Sequence, residues 1–414
     1  MTLSGSPDDR PTDATVAGDT PAPGRAGLRP VEPADAPGIY RLLRSCLPDV
    51  TADADRWLRR WHWQYWQNPF RRGRPAGWVL SCGGQIVGHL GAVYVPVRWG
   101  AQAATGVIGA DYAVEPAALV RGGAFAGLEL AQALFAAAGD CVPMATTANE
   151  KTAAVFARYD CVPVEWTREM WRAPTTLAQQ IRSCRGARGP LERRLLAGFH
   201  GRVLLGLLTR LYRRLDRPPS VPLPRGCWLE TTLPQLSLRV GTFCDETSEA
   251  GRSPTQPPSD ASSAGASGTP CWRIDRSPVY LEWRYARHPA RENIRTIVLR
   301  DDEYRPVGGV FLFHDPSDAG GRVFVEDLLA VSGRLDVARA LLCAALRHAE
   351  VLGASWVVTT GGSLAMRHIF WELGFQQRAR SAPALLLGPH GAAPDSRPLL
   401  PTAGQVEFWH GAMF

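Results

Sequence analysis

The stretch Val107-Ile-Gly-Ala-Asp111-Tyr112-Ala113-Val114-Glu115-Pro116-Ala-Ala-Leu-Val-Arg121-Gly122-Gly123-Ala124-Phe125-Ala126 decides the fold. It reads as a strand, a short turn around Glu115-Pro116, and a Gly-rich loop that opens directly into an apolar run over 125–138. Small residues at a helix start leave several backbone N–H groups unpaired and aimed outward. The helix dipole adds partial positive charge at the same place. Together they form a site for a phosphate or pyrophosphate.

On the N-terminal side, Ile39, Leu42, Leu43 and Cys46 recur at helical spacing within 33–47. The segment 57–70 carries Trp57, Leu58, Trp61, Trp63, Tyr65 and Trp66, a density that means core or the wall of an acceptor pocket. Residues 77–82 and 85–99 read as a β-hairpin turning at Gly83-Gly84, and 102–114 as the next strand. Beyond the loop and its helix, the pattern predicts a strand over 142–147, a short helix over 149–159 and a closing strand over 162–171.

From Cys271 the same order of elements returns. Trp283-Arg-Tyr285-Ala-Arg-His288-Pro289 repeats the spacing of Trp63-Gln-Tyr65-Trp-Gln-Asn68-Pro69. A hairpin over 295–300 and 307–314, a strand over 323–331, a helix over 335–351, a strand over 356–360, a helix over 365–373 and a final strand around 382–387 follow. Two passes through one order of elements argue an internal duplication. The division expected is a disordered tail at 1–26, a first domain at 27–174, a linker at 175–225 and a second domain at 226–414 with a flexible insert at 245–270. Within the linker, the apolar face of 194–215, set among arginines, reads as an amphipathic helix packed on the domains or touching an anionic membrane.

The chain has 414 residues, enough for two to three domains at roughly 100–200 residues each. Its formal charge of +7 is small and dispersed, and no nucleic-acid recognition motif occurs, so no nucleic-acid partner is expected. Lys151 is the only lysine among 46 basic residues. The nine cysteines form no C-x-x-C pair, and the start of the sequence shows no signal peptide. A cytoplasmic protein with reduced cysteines is therefore expected. The nine histidines are scattered and no H-E-x-x-H occurs, so no metal is expected.

The order helix, β-hairpin, strand, Gly-rich loop, helix, strand, helix, strand resembles the GNAT (Gcn5-related N-acetyltransferase) fold. Three short pieces carry the resemblance. Arg121-Gly122-Gly123-Ala124-Phe125-Ala126 is similar to the acyl-CoA pyrophosphate loop, Arg/Gln-x-x-Gly-x-Gly/Ala. Asn149-Glu-Lys-Thr-Ala-Ala-Val-Phe156 is similar to the helix Asn-x-x-Ala-x-x-x-Tyr, and Ile369-Phe-Trp-Glu-Leu-Gly-Phe375 to the ending Leu-Tyr-Glu-Lys-Leu-Gly-Phe. The fold class implied is a mixed α/β (α+β) chain of two tandem GNAT-like domains, with the acyl-CoA loop in the first. The co-substrate implied is acetyl-CoA or another acyl-CoA, with its pantetheine arm along Tyr112, Ala113 and Val114. Its pyrophosphate would lie on the loop from Arg121 to Ala126, and Asn149 would contact it from the next helix start.

The sequence departs from this pattern in places. Ala124 replaces a glycine of the loop, and the tyrosine that commonly protonates the CoA thiolate is Phe156 here. Tyr159 is the alternative acid. The second-half counterpart of the loop, around Val331-Ser-Gly333-Arg334-Leu-Asp336, lacks the glycine cluster, and Asp336 would repel a phosphate. An amine must be neutral to attack a thioester, so a base within reach helps. Asp111 beside the cleft is the first candidate and His89 on the hairpin the second. The resemblance implies an N-acyltransferase for a small-molecule amine. The other readings are a FemABX-like aminoacyl transferase and a non-catalytic GNAT-like binding protein.

Overall fold

A computed structural model of the chain describes residues 27–47, 50–99, 102–116, 125–146, 150–163, 169–175, 222–232, 272–314, 321–330, 334–360, 364–379 and 385–388. The expected tail at 1–26, helix at 194–215 and insert at 245–270 lie outside the described residues.

The first half opens with β1 (Gly27–Pro30) and α1 (Ala36–Cys46), which buries Ile39, Leu42 and Leu43 as their helical spacing requires. Helix α2 (Ala54–Trp61) starts at Asp53, whose carboxylate accepts from the Arg56 N–H at 2.9 Å. It runs on into one π-helical turn, His62–Trp66. Strands β2 (Gly77–Cys82) and β3 (Gln85–Trp99) form the expected hairpin. Gly83 and Gly84 turn it with φ of 56° and 77°, the left-handed pair that matches strand twist. Strand β4 (Gln102–Val114), α3 (Ala126–Ala138), β5 (Val142–Thr146) and α4 (Glu150–Ala157) follow.

The expected closing strand over 162–171 is instead two strands, β6 (Val162–Pro163) and β7 (Glu169–Pro174). The second half then contributes β8 (Trp228–Thr232), β9 (Trp272–Ile274), α5 (Pro278–Leu281), β10 (Ile294–Arg300) and β11 (Pro306–His314). It continues with β12 (Arg322–Ala330), α6 (Leu335–Val351), β13 (Trp356–Thr360), α7 (Leu364–Glu372), β14 (Gln376–Ala379) and β15 (Leu385–Leu387). Helix α5 also passes into a π-helical turn, Glu282–Ala286.

The strands form two mixed sheets. One runs β1-β2-β3-β4-β5-β15-β6, with β9 added beside β3; the other runs β8-β10-β11-β12-β13-β7-β14. Position by position the two orders correspond. In each, the fourth and fifth strands are parallel and every other neighbouring pair along the order is antiparallel. The sixth strands are exchanged. β7, from the first half, sits between β13 and β14, and β15, from the far end of the chain, sits between β5 and β6. Neither closing strand therefore closes its own half. Strand propensity and alternation are the same whichever sheet a strand joins, so the sequence pattern does not distinguish the two outcomes.

Where the halves meet, the two π turns face each other. Trp63 Nε1 donates to the Trp283 carbonyl at 2.8 Å, and Trp283 Nε1 donates to the Trp63 carbonyl at 3.2 Å. The two indoles stack with centroids 5.1 Å apart. Reciprocal contacts between corresponding residues are the mark of a two-fold relation. Trp57, Trp61, Trp63 and Tyr65 are buried with Tyr280, Trp283 and Tyr285 in one apolar core spanning both halves. The aromatic run is thus core rather than an open pocket wall. Two further cores lie under α3 and α4 on the first sheet and under α6 and α7 on the second.

Candidate active site

β4 pairs with β5 only over 106–109. On its other side the ladder with β3 slips: Ala110 faces Gly91 and Ala113 faces His89, so Asp111 and Tyr112 share Leu90. This is a β-bulge, and bulges bend a strand and re-aim its side chains. Asp111 takes φ of 51°, a left-handed conformation that only a few non-glycine residues adopt. Beyond the bulge, 110–114 has no strand partner on the β5 side among the described residues. The result is a slot with a free backbone edge, bordered by the start of α3. Unpaired main-chain donors and acceptors are strong hydrogen-bonding groups, so such an edge invites an extended amide-bearing ligand.

Three side chains surround the bulge. Tyr65, the last but one residue of the π turn, donates its hydroxyl to Asp111 Oδ2 at 2.8 Å. Arg60 Nη2 stands 3.6 Å from Asp111 Oδ1. His89 Nδ1 lies 2.8 Å from the Asp111 carbonyl oxygen, a distance that assigns the proton to Nδ1. That bond satisfies a carbonyl displaced from the ladder by the bulge. Nε2 is then an unprotonated nitrogen, buried without a partner. Burial pushes the His89 pKa below the ordinary histidine value, so the ring is neutral. Burial and the neighbouring Asp111 hold the Tyr65 phenol well above its ordinary value, so it stays a donor.

One glycine makes this arrangement possible. A Cβ on Gly91 would lie within 2.6 Å of the Tyr65 hydroxyl and ring. Only glycine lets the phenol cross β3 to reach Asp111.

The sequence-predicted residues are distributed around this slot. Asp111 and His89 come together, although His89 meets the carbonyl and not the carboxylate. Tyr112, Ala113 and Val114 form the edge beyond the bulge that lacks a strand partner on the β5 side among the described residues, where the Val114 carbonyl accepts from Cys46 Sγ at 3.7 Å. Tyr112 donates to the Gly127 carbonyl at 2.6 Å, and Tyr159 to the Leu128 carbonyl at 3.1 Å, so both phenol protons are used in the first turn of α3. Tyr159 stacks on Phe135 of α3 and does not approach Asp111. Burial raises both phenols, Tyr112 to about 12. Phe156 is fully buried against Phe135, and Gly109 leaves the room its ring occupies. Phe125 is two-thirds exposed ahead of α3, and Ala126 is buried as the first residue of that helix. Arg121, Gly122, Gly123, Ala124 and Asn149 lie outside the described residues.

The sequence pattern marks Tyr65 as core or pocket wall and as part of the repeat, not as a partner of Asp111, and does not single out Arg60 or Gly91. The repeated Trp-x-Tyr spacing was the available signal, because a buried tyrosine needs a partner for its hydroxyl. The second half uses the same device. Tyr285 reaches Asp327 at 3.4 Å beside the corresponding irregularity, where β12 leaves β13 after Phe324. There, however, Arg276 also takes Asp327 at 2.8 Å, and buried Arg284 faces buried Glu326 at 3.7 Å. Ion pairs fill the place that is a slot in the first half. Arg334 is bonded to Asp336 at the start of α6, and residues 331–333 of the second loop lie outside the described residues. Among the described residues no group of His, Cys, Asp and Glu could hold a metal ion, and no helix is long and apolar enough to cross a membrane.

No protein-family model matches the sequence, and no curated protein matches it. Solved structures do match the fold. A conserved protein of unknown function from Enterococcus faecalis, described as a probable N-acyltransferase, aligns with a TM-score of 0.52 at 9% identity over 88% of this chain and 72% of that one. A GCN5-related N-acetyltransferase from Anabaena variabilis aligns with a TM-score of 0.50 at 12% identity over 88% and 72%. Another from Kribbella flavida aligns with a TM-score of 0.50 at 14% identity over 88% and 70%. At these identities the likeness establishes the fold, which is that of the GCN5-related N-acetyltransferases.

Proposed function

We propose that the chain is an acyl-CoA-dependent N-acyltransferase acting on a small-molecule amine through the β4 slot. The observation that carries the proposal is the bulge at Asp111, with the unpartnered edge that follows it. Bound acyl-CoA supplies an acyl group activated as a thioester. The main chain of 112–114 would hydrogen-bond an amide-bearing arm, and N–H groups along the same edge would stabilise the oxyanion that forms. Asp111 is the candidate to accept the amine proton as nitrogen attacks the acyl carbon and the C–S bond breaks. Tyr65 and Arg60 fix its carboxylate, and His89 fixes its main chain. The two nearby phenols already donate within the protein, so the departing thiolate takes its proton from solvent. The description of the Enterococcus faecalis protein as a probable N-acyltransferase supports the same reading.

Calorimetric titration with acetyl-CoA tests this. We expect saturable binding in the wild type and its loss in Gly123→Asp, which sets a carboxylate in the pyrophosphate loop. Absence of heat and of a thermal shift at millimolar acetyl-CoA would sink the proposal. The absence of a hydroxyl at Phe156 favours the second reading, a GNAT-like protein that binds acyl-CoA without turnover. Saturable binding with no free thiol released across a panel of amines would select it.

A further inference from the structure

A cavity of about 690 Å³ opens between the halves, at the start of β4 and away from the slot. Thr105 on its wall and Asp111 at the bulge are six residues apart in one strand, roughly 20 Å at ~3.3 Å per residue. The volume falls within the roughly 300–1,000 Å³ of small-molecule sites, which favour domain interfaces. We infer that this cavity binds a small aryl carboxylate.

The charges decide the class of ligand. Arg74 Nη2 is 3.4 Å from Asp140, its guanidinium lies over the Tyr94 ring, and its Nη1 is buried without an acceptor. Asp275, on the second-half side, is neutralised by Arg98 at 3.0 Å. Arg72 has no ion-pair partner among the described residues. The wall thus holds one cation without a counter-charge, Arg72, beside a second guanidinium, Arg74, that Asp140 meets at 3.4 Å. A monoanion matches that count, and a carboxylate presents two oxygens to neighbouring guanidinium groups. The rest of the lining joins an apolar part, Phe70 packed edge-on to Trp283 with Pro96 and half-exposed Val279, to the hydroxyls of Thr105 and Ser277. A flat hydrocarbon body suits that space better than a phosphate ester, which would bring a second charge into it.

The chain also holds Arg72 in an uncommon conformation at the rim. A turn closes from the Arg74 N–H to the Arg71 carbonyl at 2.9 Å, and both central residues, Arg72 and Gly73, have left-handed φ, 47° and 79°. Glycine or asparagine is the usual first residue of such a turn. An arginine kept there against local preference fits a use for its side chain.

Calorimetric titration of the full chain with naphthoate, and with neutral naphthamide as control, tests the inference. We expect saturable binding of naphthoate, with the amide at least roughly fivefold weaker because it lacks the charge-assisted bonds. Arg72→Gly, which keeps the turn, and Val279→Glu, which adds a carboxylate to the lining, should each weaken naphthoate at least roughly tenfold. Their acetyl-CoA titration should match that of the wild type. Equal affinity for acid and amide, undiminished binding in either variant, or no saturable heat overturns the inference. The site is independent of the acyl slot, so failure of acetyl-CoA to bind leaves it standing.

Discussion

Asp111 is the residue on which the candidate site turns, and its neighbours set what it can do. A Cβ at Gly91 would meet Tyr65 within 2.6 Å. Gly91→Ala should therefore cost about 1–3 kcal/mol by overpacking and pull the phenol off Asp111. Tyr65→Phe removes only the hydroxyl and leaves the carboxylate short of a donor, at about 1–3 kcal/mol. Urea unfolding measures both. If the slot acylates amines, Tyr65→Phe also lowers kcat while acetyl-CoA affinity holds; a change in affinity alone would assign the pair to binding. His288 makes a separate, pH-dependent prediction. Burial, with Arg284, Arg60 and Arg56 nearby, lowers its pKa from 6.5 to about 3. The folded state keeps this ring neutral and the unfolded state protonates it. Its contribution to stability is whole above pH 6.5 and fades as pH falls toward about 3, by at most ~1.4 kcal/mol per unit. His288→Asn should flatten that acid limb in urea melts at stepped pH, because Asn68 occupies the matching position in the first half. There it accepts the Phe70 N–H at 2.9 Å, as His288 accepts that of Ala290 at 3.1 Å. An unchanged slope would show that His288 does not titrate with unfolding.

At the scale of elements, the repeated Trp-x-Tyr run is a π turn used twice. Its tryptophan ties one half to the other and its tyrosine pins a bulge carboxylate. Trp63→Phe and Trp283→Phe each delete a buried indole N–H whose acceptor is the opposite carbonyl. Each should cost about 1–3 kcal/mol. Because the indoles also stack, the double variant should depart from additivity by about 0.5–3 kcal/mol in a double-mutant cycle, and additive losses would mean the two bonds act separately. This level was legible in part. Spacing alone located α1, α3, α4, α6 and α7, the hairpins and the strand that bears Asp111, because 3.6- and 2-residue periods are local properties; it did not mark α2 and α5 as helices. The bulge was not legible, since φ at Asp111 depends on which residue of β3 it faces. The roles of Tyr65 and Gly91 were hidden for the same reason: they meet across a sheet, and no local pattern records that meeting.

Across the whole molecule, the exchange of β7 and β15 makes each sheet depend on both halves. β9, from the second half, is a further link beside β3, and β8 lies on the far side of 245–270 from its partner β10. A protease site introduced within 245–270 should yield two fragments that still migrate as one particle in gel filtration and retain the melting transition of the uncut chain. Fragments that separate without denaturant would contradict that interlock. Neither fragment expressed alone should give a cooperative melt, since each would leave a gap inside a sheet. The exchange also sets a clock on biogenesis. β5 borders the β4 slot, and its outer neighbour is β15, made near the far end of the chain. At roughly 5–20 residues per second, the ribosome needs on the order of 10–50 s to travel from one to the other. During that interval the β5 edge is bare, so the nascent first half is exposed to mispairing, and a chain that stops short of residue 385 never acquires the strand that braces the slot.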